Sequence, residues 1–103
     1  MKFLAIEYER AGNRVETEKA LFRDEARRVW ELQQSGVLRE IYFHAEEHTA
    51  ILALECANSD EAQALLATLP LVKAGLIDFK IIPLAPYDGF NRLFAGVSIG
   101  EQE

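Results

Sequence analysis

The chain has 103 residues and a formal net charge of −6, and half of its residues are apolar. This length predicts a single domain at residues 1–96, including a C-terminal tail, followed by a flexible C-terminus at 97–103. The acidic balance argues against binding to nucleic acid or to an anionic membrane surface, because both need clustered positive charge. No apolar run reaches the ~20 residues of a membrane span, so we expect a cytoplasmic location.

Apolar periodicity predicts six elements in the order β-α-β-β-α-β. The predicted strands are 2–8, 37–44, 49–56 and 76–84, and the predicted helices are 17–35 and 59–68. Thr17 is the expected N-cap of the first helix, and Gly36 is expected just past its end. The stripe of this helix expected to face the core consists of Phe22, Ala26, Val29 and Trp30. The second helix is expected to begin at the Asn58-Ser59-Asp60 cap and to end at Pro70.

This element order predicts a ferredoxin-like βαββαβ fold, an antiparallel four-stranded sheet with both helices on one face. The third strand, more apolar than the second, is expected at the centre. The other sheet face is left uncovered, and an apolar sheet face of that size needs a cover. A second copy is the simplest cover, so we predict a homodimer through the sheet faces and leave a higher oligomer open. The apolar residues assigned to this uncovered face are Phe3, Ala5, Ile51, Ala53 and Ile82.

The tail after the last strand has three large apolar residues at helical spacing, Phe90, Leu93 and Phe94. Asp88 is the expected cap of this short turn, because prolines at 83 and 86 free the chain from the strand. Side chains of this size favour burial. The tail is therefore expected to be ordered to about Phe94 and to rest on a second subunit or to close the end of a barrel.

Two stretches of the chain resemble muconolactone isomerase-like proteins. The first runs from Glu31 to His44, and the second is Leu69-Pro70-Leu71-Val72 followed by Gly75 to Phe79. YCII-related domains share a similar plan. The resemblance covers roughly two thirds of the chain. It implies a dimeric α+β barrel and a cofactor-free isomerase that acts on a small anionic cyclic metabolite.

Within the resemblance, the second predicted strand carries the candidate site. Arg39 matches an arginine of the isomerase pattern, whereas Glu40 stands where that pattern has a histidine and Tyr42 where it has a tryptophan. Strand alternation places Glu40, Tyr42 and His44 on one face, with Ile41 and Phe43 on the helix side. We therefore predict Glu40, Tyr42 and His44 as catalytic residues.

Ligand-binding roles are predicted for Arg39 and for two residues expected to face inward from the outer strands, Glu7 and Lys80. A carboxylate, a phenol, an imidazole and a cation suit proton abstraction beside a carbonyl group, with the cation holding the enolate. A purely structural alternative stays open. In that case His44 belongs to the hairpin end, Glu40 to an ion pair at a dimer rim, and Tyr42 to packing.

Other chemistries find little support in the sequence. His44, Glu46, Glu47 and His48 lie close together but match no strong metal signature, so we predict a solvated turn and no metal. No glycine-rich phosphate loop follows a strand, and no cofactor is predicted. The single cysteine, Cys56, excludes an intrachain disulfide and is expected to be a buried structural thiol. Two functions remain open, a cofactor-free isomerase and a non-catalytic dimeric module that binds a small ligand or a protein.

Overall fold

The computed structural model describes residues 1–10 and 19–94. Its elements are β1 (Lys2–Glu9), α1 (Lys19–Gln34), β2 (Leu38–Phe43), β3 (Ala50–Glu55), α2 (Ser59–Leu66), α3 (Pro70–Lys73), β4 (Ile77–Leu84) and a tail 3₁₀ helix (Gly89–Phe94). The predicted order is confirmed, with α3 and the tail helix added. The predicted cap Thr17 and the predicted flexible C-terminus, 97–103, lie outside the described residues.

The four strands form one sheet in the order β2-β3-β1-β4, and every neighbouring pair is antiparallel. β3 is central, as predicted, with β1 beside it, and β2 and β4 are the two edges. The helices cover one face, which gives the predicted ferredoxin-like architecture. Within the described parts of the chain, no helix has the length and apolar character needed to cross a membrane.

The core lies between the helices and the covered face of the sheet. Phe3 and Ala5 are fully buried there, opposite Leu54 and Leu52 of β3. Their predicted place on the uncovered face is therefore wrong. Both faces of β1 are apolar, so alternation alone does not say which one is inside. The face with Phe3 and Ala5 is inside because these residues pair with Leu54 and Leu52, the two buried leucines of β3.

Helix α1 is rotated relative to its predicted orientation. Phe22 and Trp30 are 55% and 60% exposed, although we expected both in the core. The side of α1 that packs inward instead carries Leu32, which is buried, together with the half-buried Glu25 and Arg28. Glu25 accepts a hydrogen bond from the Leu71 amide, and Arg28 Nε donates to Thr68 Oγ1 over 2.9 Å. These two contacts orient a polar stripe of α1 toward α2 and α3.

The helix ends follow the expected local chemistry, with one correction. Asn58 caps α2, and its Oδ1 accepts the Glu61 amide over 2.8 Å. Gly36, two residues past the end of α1, has φ +87°, a conformation that favours glycine. Pro70 does more than end the second helix, because it opens α3 as the first residue of a new turn, where proline is well tolerated.

Candidate functional site

A β-bulge at Arg39 determines which side chains of β2 face away from the helices. Leu38 pairs with Leu54, whereas Glu40 pairs with Ala53, so two residues of β2 advance for one residue of β3. Leu38 is therefore buried on the helix side, and Glu40 lies on the opposite face. Sequence reasoning missed this bulge, and no glycine in β2 signals it.

We call the uncovered side of the sheet the open face. The strand pairings assign Tyr42 to it, opposite Ile51, as the alternation predicts, with Ile41 on the helix side. The apolar residues of the open face include Leu4, Ile6, Ile51, Ala53, Ile82 and Leu84, all of them half-buried. Leu4 and Ile6 take the place expected for Phe3 and Ala5.

Tyr42 and Glu40 form a hydrogen-bonded pair on the open face. The Tyr42 hydroxyl donates to Glu40 Oε1 over 2.9 Å. This bond to the carboxylate is the main reason that the pKa of Tyr42 is raised above its usual range. The phenol is therefore held in its protonated, donating form, and Glu40 Oε2 has no hydrogen-bond partner among residues 1–10 and 19–94.

Lys80 lies in the same cross-strand row as Tyr42. The row runs from Tyr42 through Ile51 and Ile6 to Lys80, across all four strands. Three strand spacings separate the two ends, about 14 Å between backbones. Between residues 1–10 and 19–94, Lys80 has no ion-pair partner. The open face thus has an apolar floor, with an acid–phenol pair at one edge and an ammonium group at the other.

Arg39 is placed away from this row. Its Nε donates to the Gly36 carbonyl, and its charge helps to lower the pKa of Glu55. The larger cause of that lowered pKa is the N-terminal amine, 2.6 Å from Glu55 Oε2. The Arg39 guanidinium therefore lies near Glu55 and the N-terminal amine, at the end of the sheet where β2 begins.

Glu7 does not reach the open face. It shares the helix side of β1 with Phe3 and Ala5, and its Oε1 accepts the Ala50 amide over 2.7 Å. The predicted inward position beside Glu40 is therefore wrong. The pairing of β1 with β3 ends at Ile6 and Ile51, one residue before Glu7. The Ala50 amide of β3 therefore has no backbone carbonyl of β1 to bond, and the Glu7 carboxylate accepts it instead.

His44 serves the hairpin between β2 and β3. Its Nδ1 accepts the amides of Glu46 and Glu47 over 3.1 and 3.0 Å, which assigns the ring proton to Nε2. The nitrogen that a general base needs is thus occupied by the turn. The neighbouring His48 stacks on Phe43 with ring centroids 4.0 Å apart. The histidines are therefore not brought together with Glu40 and Tyr42.

Two further features lie apart from the open-face residues Glu40, Tyr42 and Lys80. A cleft of about 380 Å³ runs beside the β4 edge, and none of the predicted site residues lines it. Its lining includes Tyr8, Gln63, Leu66, Val72, Asp78 and Phe79. Cys56 is buried as expected, and desolvation raises the pKa of its thiol, unlike the lowered pKa of an activated nucleophile.

The sheet order and the one-sided helices define a ferredoxin-like α+β fold, the fold from which dimeric α+β barrels are built. The family model of muconolactone delta-isomerase matches residues 4–89, so the chain belongs to the muconolactone delta-isomerase family. No curated protein sequence matches significantly.

Several solved structures share this fold, among them the following two. A crystal structure of muconolactone isomerase is 20% identical with a TM-score of 0.69, over 85% of this chain and 92% of that one. A dehydrochlorinase of 5-chloro-2-hydroxyhydroquinone from Burkholderia phenoliruptrix AC1100, in complex with 2,5-dihydroxybenzoquinone, is 17% identical with a TM-score of 0.59. That match covers 86% of this chain and 98% of the other. Similarity to YCII-related domains stays a prediction.

Proposed function

We propose that the protein is a cofactor-free isomerase that moves a proton within a small, anionic, cyclic metabolite of the muconolactone type. The observation that carries the proposal is the Tyr42–Glu40 hydrogen bond on an apolar face that also presents Lys80. Membership of the muconolactone delta-isomerase family supports the reaction class. The two related structures, which carry names of an isomerase and a dehydrochlorinase, are consistent with proton removal from a ring.

The chemistry follows from the charges on the open face. The Glu40 carboxylate takes the proton from the saturated ring carbon at the far end of a conjugated C=C–C=O unit, and the C–H electron pair is delocalised through that unit onto the carbonyl oxygen as a dienolate. Lys80 stabilises the enolate oxygen, and Tyr42 holds Glu40 in position through its hydroxyl. The carboxyl proton of Glu40 exchanges with solvent, and Glu40 then delivers a proton to the carbon next to the carbonyl, so the double bond shifts with no net gain or loss of protons. His44 is left out, because its Nδ1 is bonded to the turn.

A second copy completes the site in this proposal. The open face is apolar, yet Tyr42 is 60% exposed in the single chain, so proton transfer there lacks shielding from water. Packing two open faces together would exclude that water and form a homodimer of the α+β barrel type. The cytoplasmic location and the ligand-binding role of Arg39 stay predictions.

The test is to incubate the protein with muconolactone in D₂O and to follow product and deuterium by proton NMR. Wild type should convert the lactone and exchange the proton on the reacting carbon. Glu40→Gln should lower the rate by about 10²–10⁴-fold, the usual range for loss of a general base. Tyr42→Phe should cost about 10–100-fold, as expected for one hydrogen bond to a charged group. Glu46→Gln, on the exposed hairpin turn, is the matched control and should be unchanged.

A second outcome distinguishes the alternative. Binding of the lactone without exchange or conversion, equal in wild type and Glu40→Gln, would contradict the isomerase. It would favour the non-catalytic ligand-binding module. Exchange that survives Glu40→Gln would instead contradict Glu40 as the base.

A further inference from the structure

An apolar surface of α1 and β2 is exposed on the helix side of the molecule. We define the flank patch as Phe22, Trp30, Ile41 and Phe43, which are 55%, 60%, 37% and 60% exposed. Phe22 and Trp30 are eight residues apart and lie on one side of α1. Ile41 and Phe43 are on the helix side of the edge strand β2, opposite Leu52 and Ala50. Among the described residues, the His48 ring stacks on Phe43, and all four side chains of the patch nevertheless stay more than a third exposed.

The tail is a second apolar surface without a place in its own chain. Tyr87, Phe90, Leu93 and Phe94 are 71%, 65%, 74% and 55% exposed. The tail helix makes no substantial packing contact with any other element between residues 1–10 and 19–94. The 3₁₀ helix of the tail is thus not held by burial against other described elements of this chain.

The tail nevertheless has a defined local shape. Tyr87 packs edge-on against Phe90, with ring centroids 4.9 Å apart and planes at 81°. Gly89 permits this packing, because a Cβ there would lie 2.0 Å from the Tyr87 hydroxyl oxygen. The Asn91 amide also donates to the Asp88 carbonyl over 3.1 Å. A pre-shaped apolar segment loses less conformational entropy when it docks.

We propose that the tail of one copy, residues 87–94, docks on the flank patch of a second copy, and that the two copies exchange tails reciprocally. This inference rests on the face-to-face dimer of the proposed function. The occupant of the flank patch is therefore a second copy of this chain.

Sheet topology brings the two surfaces together. In a face-to-face pair with its two-fold axis along the strands, β4 of one copy comes beside β2 of the other, since these are the two sheet edges. Chain direction then makes this pair antiparallel. Lys2 of β1 pairs with both Leu84 and Glu55, and the Glu55 amide donates to the Val37 carbonyl. The end of β4 and the start of β2 therefore lie at the same end of the sheet. The tail thus starts beside the second copy's β2.

Length and area both fit. Because β4 and the second copy's β2 run in opposite directions, the tail turns back at residues 85–86 to run along that strand. Two extended residues and six 3₁₀ residues then reach about 19 Å, close to the ~20 Å length of a six-residue strand. Each surface presents four large apolar side chains that are mostly exposed, roughly 400 Å² apiece. Two exchanged tails on two flank patches therefore bury roughly 1,600 Å² in total, the size of a standard stable interface.

The only tryptophan of the chain, Trp30, lies in the flank patch and reports on docking. Removal of every residue after Pro86 should shift its fluorescence to longer wavelength and weaken the dimer at least about tenfold. Removal of the residues after Phe94 is the matched control and should change neither quantity. In a mixture of full-length Trp30→Cys and Leu93→Cys proteins, oxidation should link the two different chains.

Three results would overturn the exchange. A stable dimer whose Trp30 emission ignores truncation after Pro86 contradicts tail docking while leaving the proposed dimer intact. Self-linking of Trp30→Cys alone, without linking to Leu93→Cys, means that two flank patches face each other. A monomer at micromolar concentration removes the face-to-face dimer itself, and the exchange with it.

Discussion

Glu25 and Leu71 are 46 residues apart in the chain, and the Glu25 carboxylate accepts the Leu71 amide over 2.9 Å. This bond joins α1 to the first turn of α3. The carboxylate is half-buried, and desolvation is the main reason that its pKa is raised, with the charge of Glu7 acting in the same direction. The hydrogen bond therefore links α1 to α3, and ionisation of the half-buried Glu25 carboxylate costs electrostatic free energy.

Replacing Glu25 by Gln should stabilise the protein at neutral pH. The amide oxygen keeps an acceptor for Leu71, while the buried charge is lost. Because the folded pKa is raised, the protonated form favours folding, and this advantage disappears as pH rises through the folded pKa. We expect a gain of about 0.5 kcal/mol at pH 7, and little difference below the unfolded value of about 4.3. Urea unfolding at pH 7 and pH 4 measures both.

The matched control for this prediction is Glu25→Ala, which removes the acceptor and leaves the Leu71 amide without its partner. It should destabilise the protein by about 1–2 kcal/mol at either pH. If Glu25→Gln is as destabilising as Glu25→Ala at pH 7, ionised Glu25 contributes net stability and the argument from desolvation is wrong.

Tyr42 should ionise above the usual range for a phenol, because its hydroxyl donates to the Glu40 carboxylate. Glu40→Gln should bring its titration down, since the negative charge is removed. An ultraviolet difference titration of wild type against Tyr42→Phe isolates this one phenol, and the same pair in a Glu40→Gln background gives the comparison. An identical midpoint in both backgrounds would show that the pair does not form in solution.

His48 has φ 60°, which is unfavourable for a residue with a side chain, and its ring stacks on Phe43. His48→Ala keeps the backbone strain and loses the stacking, so a loss of about 0.5–1.5 kcal/mol is expected. His48→Gly loses the stacking but relieves the strain, and it should be more stable than His48→Ala by about 1 kcal/mol. Urea unfolding of both variants tests this, and equal stabilities would count against strain at position 48.

The element order was predictable because its signals are local. Apolar alternation marks each strand, the four residues from Ala45 to His48 suit a hairpin, and the Asn58 cap marks the start of α2. The orientation of α1 was not predictable in this way. Its most apolar stripe includes Phe22 and Trp30, but contacts of Glu25 and Arg28 with distant residues turn a more polar stripe inward. Such contacts depend on the assembled fold.

The candidate site was predictable to a similar extent. Alternation within β2 gives Glu40 and Tyr42 a common face, and the structure agrees. Glu7 and His44 fail for a shared physical reason, because backbone amides at the ends of strands need acceptors. Glu7 bonds the Ala50 amide, and His44 bonds two amides of the turn. The backbone amides that need such an acceptor can be identified only once the ends of the strands are known.

The bulge at Arg39 has a consequence for related sequences. Leu38 and Glu40 are two residues apart and would share a face in a regular strand, but the extra residue at the bulge places them on opposite faces. Loss of the Arg39 codon would therefore restore regular alternation, with Leu38 still under the helices and with Glu40 and Tyr42 still on the open face. Straightening of the bulge with Arg39 kept would instead turn Glu40 and Tyr42 under the helices or force Leu38 out of the core. A relative with one residue fewer between its glycine and its Glu-x-Tyr motif is thus expected to keep the two side chains on the open face, in a strand without a bulge.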